Sequence, residues 1–68
     1  MKIILNNNPE TIDYDGELTI DELLKLKKFS FKMLVIKING RLIKKEDYST
    51  AIIQNDDNVA IIHLISGG

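Results

Sequence analysis

Apolar and polar positions alternate along the chain in short stretches, broken by clusters of turn-forming residues. Ile3-Ile4-Leu5 reads as a short strand. Asn6-Asn7-Asn8-Pro9 follows as a turn, and Thr11-Ile12-Asp13-Tyr14 alternates as a second strand. The two predict an N-terminal hairpin, ended by Asp15-Gly16. The period then changes. Ile20, Leu23 and Leu24 form one apolar stripe at helical spacing, and Thr19 and Glu22 stand at the spacing of a capping box. Such a cap is worth about 1 kcal/mol. Asp21 and Glu22 suit the positive end of the helix dipole, while Lys25, Lys27 and Lys28 suit its other end. The helix is expected to stop near Phe29.

Met33 to Ile38 reads as a third strand. Leu34, Ile36 and Ile38 share one face, and Val35 and Lys37 share a face partly open to water. Asn39-Gly40 is a hairpin signal, because both residues tolerate positive φ. Arg41-Leu42-Ile43 returns as a fourth strand. Lys44 to Thr50 is polar and irregular, with one helical turn expected around Tyr48. Ile52-Ile53 is an apolar anchor, Asn55 to Asn58 is a turn, and Val59 to Ile65 is the fifth strand. The order β-β-α-β-β-β places one helix against one face of a mixed sheet of about five short strands. That is an α+β domain with the architecture of a β-grasp. No repeat or linker divides it, so residues 1–68 form a single domain with 66–68 as a C-terminal tail.

Composition narrows the chemistry. The chain has no cysteine, which removes disulfides, thiolate metal sites and side-chain persulfides. Nine basic residues balance ten acidic ones, unlike an electrostatically driven nucleic-acid binder. The first apolar run is too short for a signal peptide or membrane span, so a cytoplasmic protein is the expectation. There is no Gly-rich nucleotide loop, and Gly40 is an isolated hairpin glycine. No metal site and no bound cofactor are expected.

With these elements placed, the chain resembles the ThiS family of sulfur carriers in thiamine biosynthesis. The resemblance is carried by Lys2 to Asn6, Glu22-Leu23-Leu24, Ile36 to Gly40, Ile43, Tyr48, Ile52, Asp57, Val59, Ile61 and the final Gly67-Gly68. It covers essentially the whole chain. Tyr48 stands where the family commonly has Trp, and Asp56 where it commonly has Gly, which suggests a different turn geometry there. No Pro lies near Lys44.

The resemblance implies a ubiquitin-like β-grasp that acts as a protein co-substrate and not as an enzyme, with no catalytic residue of its own. It implies that a ubiquitin-activating-like adenylating enzyme transfers AMP from ATP to the carboxylate of Gly68. A cysteine desulfurase or another persulfide donor then supplies sulfur to leave a thiocarboxylate, which thiazole synthase uses. Gly67 and Gly68, lacking side chains, let the tail enter a narrow channel. The plain alternative for such a tail is a frayed end. A molybdopterin-synthase small-subunit type of carrier shares the expected fold and tail, and a ubiquitin-like protein modifier is a further reading.

The last strand suggests where partners dock. The family's inward positions match Val59 and Ile61, which leaves Ala60, Ile62, Leu64 and Ser66 outward beside the tail. Simple patterning argues the other way, because His63 would then face inward unless the strand curves. His63 reads as a surface residue and not a catalytic base, since no nucleophile accompanies it. Asp56-Asp57 reads as a solvated turn more readily than a cation site. Lys25, Lys27, Lys28 and Lys32 serve helix-dipole compensation and solubility better than nucleic-acid binding, though they could steer an acidic partner. Tyr14, Phe29, Phe31 and Tyr48 are expected to pack and not to stack on bases.

Overall fold

The computed structural model of the chain describes residues 1–29 and 33–64. Its elements are β1 (Lys2–Leu5), β2 (Asn8–Thr11), β3 (Leu18–Thr19), α1 (Ile20–Leu26), β4 (Leu34–Ile38), β5 (Arg41–Ile43), a 3-10 turn (Lys45–Asp47), β6 (Ile52–Ile53) and β7 (Asn58–His63). Five strands form one mixed sheet in the order β2-β1-β7-β4-β5. The central strand, β7, runs parallel to β1 and antiparallel to β4. This is the expected α+β β-grasp, with α1 supplying Ile20, Leu23 and Leu24 to the core beside Ile3, Ile36 and Val59.

The N-terminal hairpin turns earlier than the sequence predicts. Leu5 pairs with Asn8, so only Asn6 and Asn7 form the loop, at φ +50° and +68°. That is the two-residue turn whose twist suits a hairpin. The second strand therefore runs over Asn8–Thr11 instead of starting at Thr11, and it contains Pro9. Proline is tolerated because β2 is an edge strand, where a missing N–H interrupts no further ladder. Beyond β2, Ile12 N–H donates to Met1 O at 2.7 Å and holds Ile12 over the core.

The helix starts as expected and stops sooner. Glu22 N–H donates to Thr19 Oγ1 at 3.2 Å. Ile20 N–H reaches Ala51 O at 3.1 Å, and Asp21 N–H reaches Tyr48 O at 3.0 Å. Three of the four N–H groups that a helix start leaves open are thus satisfied, two of them by the segment before β6. At the other end Phe29 N–H donates to Leu24 O and Lys28 N–H to Lys25 O, with Lys28 at φ +57°. This is a Schellman ending, with lysine in the left-handed position that glycine usually takes. It ends α1 at Leu26 instead of near Phe29, and Phe29 packs on the core from outside the helix.

Two further differences follow from pairings that span the chain. Leu18–Thr19 and Ile52–Ile53 form a small antiparallel sheet of their own, with Leu18 and Ile53 buried. β4 begins at Leu34 and β7 ends at His63, one and two residues inside the predicted spans. The last residues of the expected fifth strand and tail, Ile65 to Gly68, lie outside the described residues, as do Ser30, Phe31 and Lys32.

Asparagines hold the turns to the sheet. Asn6 N–H donates to Val59 O at 2.9 Å, and Asn6 Oδ1 accepts from Ile61 N–H at 2.7 Å. Asn6 thereby continues β1 as a partner of β7 after the strand itself has ended. At Asn39-Gly40 both residues have positive φ, and Asn39 Oδ1 accepts from Asn58 N–H at 2.8 Å. The Asp57 carboxylate accepts from Gln54 N–H and Asn39 Nδ2. Asp57 is thus occupied in closing its own turn. Asp56 sits at φ +71°, a conformation that glycine would adopt without strain.

Candidate functional site

The face of the sheet away from α1 is where the strand leading to the tail meets solvent. Register places its residues in rows across the strands. Leu42, Lys37 and Ala60 form one row, and Val35 and Ile62 form the next. In β7 Val59 and Ile61 are buried, so Ala60 and Ile62 point outward by alternation. Ile62 is 49% exposed and Leu64 48%; Ala60 is half-buried. Leu64 N–H donates to Met33 O at 2.8 Å, so pairing with the chain before β4 continues one residue past β7.

The outward placement of Ala60, Ile62 and Leu64 does not bury His63. The side chain of His63 is exposed and meets Phe29 edge-on, with ring centroids 6.4 Å apart. α1 is only seven residues long, about 10 Å. Phe29, three residues past its end, packs against the core and is the ring that His63 meets at the rim. The conflict between the two sequence patterns therefore disappears without a twist in assignment. Ser66, Gly67 and Gly68 lie outside the described residues.

Sequence reasoning named only the β7 half of this surface. The other half comes from β4 and β5. Leu42 is 58% exposed, and Val35 stands beside Ile62. A groove of ≈ 480 Å³ opens at this end of the sheet, lined by Met33, Val35, Leu42, Lys44, Tyr48 and Leu64 among others. Val35 was readable from its parity with Lys37. Leu42 was not, because three residues of β5 carry too little pattern to reveal a face.

Electrostatics around the site are simple. Tyr48 is buried, and its phenol is pushed above its ordinary value by burial first and by the nearby Asp21 carboxylate second. It packs and does not titrate near neutrality. Lys27 Nζ meets the Glu10 carboxylate at 2.6 and 2.9 Å and ties the helix end to β2. Among the described residues no three His, Asp or Glu side chains converge as a metal site. Among them, too, no helix is long and apolar enough to cross a membrane.

A family model described as the ThiS family matches residues 3–68. The chain belongs to the ThiS family. The family is one of small sulfur-carrier proteins of thiamine biosynthesis. The crystal structure of a thiamine biosynthesis protein (ThiS) from Geobacter metallireducens superposes with a TM-score of 0.87 at 25% identity, over all of both chains. The NMR solution structure of a thiamine biosynthesis protein from the same organism gives a TM-score of 0.82 at 25% identity, covering all of this chain and 88% of that one. A curated relative, a thiazole synthase from Magnetococcus marinus, is 28% identical over 68 residues. Those residues are all of this chain but 20% of the relative. The chain therefore spans about one fifth of the length of that protein.

Proposed function

We propose that this ThiS-family chain carries sulfur for thiazole formation in thiamine biosynthesis on the carboxyl group of Gly68. An adenylating partner joins AMP from ATP to that carboxylate and releases pyrophosphate. The terminal sulfur of a persulfide donor displaces AMP to give an acyl disulfide. A thiol of the donor system cleaves that disulfide to leave the thiocarboxylate and a new disulfide, and thiazole synthase takes the sulfur. The chain is a co-substrate in each step, and the ATP belongs to the partner.

The observation that carries this reading is the family match across residues 3–68, which includes the Gly67-Gly68 pair. The chemistry of the chain agrees with it. A protein without cysteine has no thiol on which to hold sulfur, whereas a terminal carboxylate, once activated, can hold it as a thioacid. The relative from Magnetococcus marinus supports thiazole synthase as the acceptor, because a segment like this chain accounts for a fifth of a protein of that name. The curated relative and both solved structures carry names of thiamine or thiazole biosynthesis, which favours this pathway over the molybdopterin one. The docking surface in this reading is the outward side of β7, with Ala60, Ile62, Leu64 and Ser66, joined by Val35 and Leu42.

Intact mass spectrometry tests the proposal. After incubation with the adenylating enzyme, ATP and a persulfide donor, the chain should gain the mass of one oxygen replaced by sulfur, located at Gly68. Removal of Gly67-Gly68 should abolish the gain and leave the thermal unfolding midpoint unchanged. An unmodified chain, under conditions where a ThiS carrier from another source is converted, would refute the reading.

A further inference from the structure

The outward sheet face differs in charge from the rest of the molecule. Along its paired strands the charged outward positions are Lys2 on β1 and Lys37 on β4, with no carboxylate among them. Lys44 follows β5 and lines the groove with Leu42 and Leu64, where Lys44 and Lys45 outnumber Glu46. Residues 10–22, on the edge and helix side, hold six of the ten acidic side chains and no lysine or arginine. The helix side adds Lys25, Lys27 and Lys28 and is mixed in sign, whereas the paired strands of the outward face carry lysines and no carboxylate.

Lys37 is placed to matter in an encounter. It is exposed, and its cross-strand neighbours on that face are Leu42 and Ala60. Among the described residues the ion pair formed is Lys27–Glu10, on the helix side of the sheet, and no described carboxylate pairs with Lys37. A cation amid apolar side chains meets either water or an incoming surface. Apolar contact supplies affinity once docked, whereas rim charges set the encounter rate and the orientation.

We propose that the surface receiving this face is an apolar depression rimmed by carboxylates, and that Lys37 and Lys44 steer the encounter. The partner is the thiazole synthase of the sulfur-carrier reading, on which this inference rests for its choice of protein. The lysines make the association fast at low salt. The Val35–Leu42–Ile62 centre holds the complex at any salt.

The test is stopped-flow association of the chain with the source organism's thiazole synthase, at about 0.05 M and about 1 M salt. A Lys37→Glu/Lys44→Glu double variant should associate about tenfold more slowly at low salt, with the gap closing at high salt. A Lys25→Glu/Lys28→Glu variant changes net charge equally on the helix side and should differ little from the parent. Ile62→Asp should weaken binding at both salt concentrations. Thermal unfolding of each variant checks that the fold persists. If the Lys37/Lys44 variant behaves as the helix-side control while Ile62→Asp still weakens binding, the charge inference fails and the docking face stands. If Ile62→Asp binds as the parent does, or the parent does not bind thiazole synthase, docking on this face fails too. The mass-shift test of sulfur carriage is independent of both outcomes.

Discussion

Asn6 carries a large share of stability for a loop residue, and replacing it measures that share. Its side chain accepts from Ile61 N–H at 2.7 Å, and its backbone sits at φ +50°. Alanine removes the acceptor and leaves the N–H of a buried residue without its partner, at a cost of about 1–3 kcal/mol. Alanine is also strained where asparagine is tolerated, which adds roughly 1 kcal/mol. The sum is about 2–4 kcal/mol. A domain of this size holds roughly 3–10 kcal/mol in all, so about a fifth or more is at stake. Thermal unfolding followed by circular dichroism should show the midpoint falling by roughly 8–32 °C, at about 4–8 °C per kcal/mol. Two companions separate the causes. Asn6→Asp keeps an acceptor and tolerates the backbone, so it should stay within about 1 kcal/mol of the parent. Asn6→Gly relieves the backbone but lacks the acceptor, so it should fall between Asp and Ala. If Asn6→Ala unfolds with Asn6→Asp, water replaces the side chain and the reasoning is refuted.

Lys28 and Asp56 occupy left-handed backbone at φ +57° and +71°. Glycine at Lys28 should stabilise by about 0.5–1 kcal/mol in urea unfolding, and at Asp56 by less, because aspartate tolerates that region better than lysine. The Tyr48 phenol is raised in the folded state, so the fold holds its proton more tightly than the unfolded chain does. Stability should therefore be flat in this respect below pH ~10 and decline above it, and Tyr48→Phe should remove that part of the decline in alkaline melts. Lys27→Ala breaks a partly exposed ion pair with Glu10 and should cost no more than about 0.5–1 kcal/mol, measured by the same unfolding.

Where a residue's role depends on its near neighbours, the sequence was readable. Thr19 caps α1 because a hydroxyl three residues before Glu22 N–H is the right reach at any helix start. Asn39-Gly40 turns because both residues accept positive φ locally. The N-terminal hairpin shows where this stops. Asn6-Asn7 and Asn8-Pro9 are equally turn-like, and Pro9 argues against a strand unless the strand is known to be an edge. An edge is defined by what does not lie beside it, so no local pattern reports it. The two-residue strands at Leu18–Thr19 and Ile52–Ile53 escaped for a related reason: they are too short to have a period.

The candidate site divides in the same way. Ala60, Ile62 and Leu64 could be named from parity, but both faces of the last strand are apolar, and His63 argued against placing these three outward, where the structure has them. Val35, Lys37 and Leu42 joined them only through register with β7 and β5. By itself the sequence determined the order of the helix and the five strands of the main sheet, the helix start, the glycine turn and the family, since each lies in residue types at fixed spacing. Only the tertiary structure decided which side of the sheet α1 covers, where that short helix stops covering it, and which apolar and basic residues are left together in water. Burial and charge proximity are relations between segments far apart in the chain, and they come into being when those segments pack.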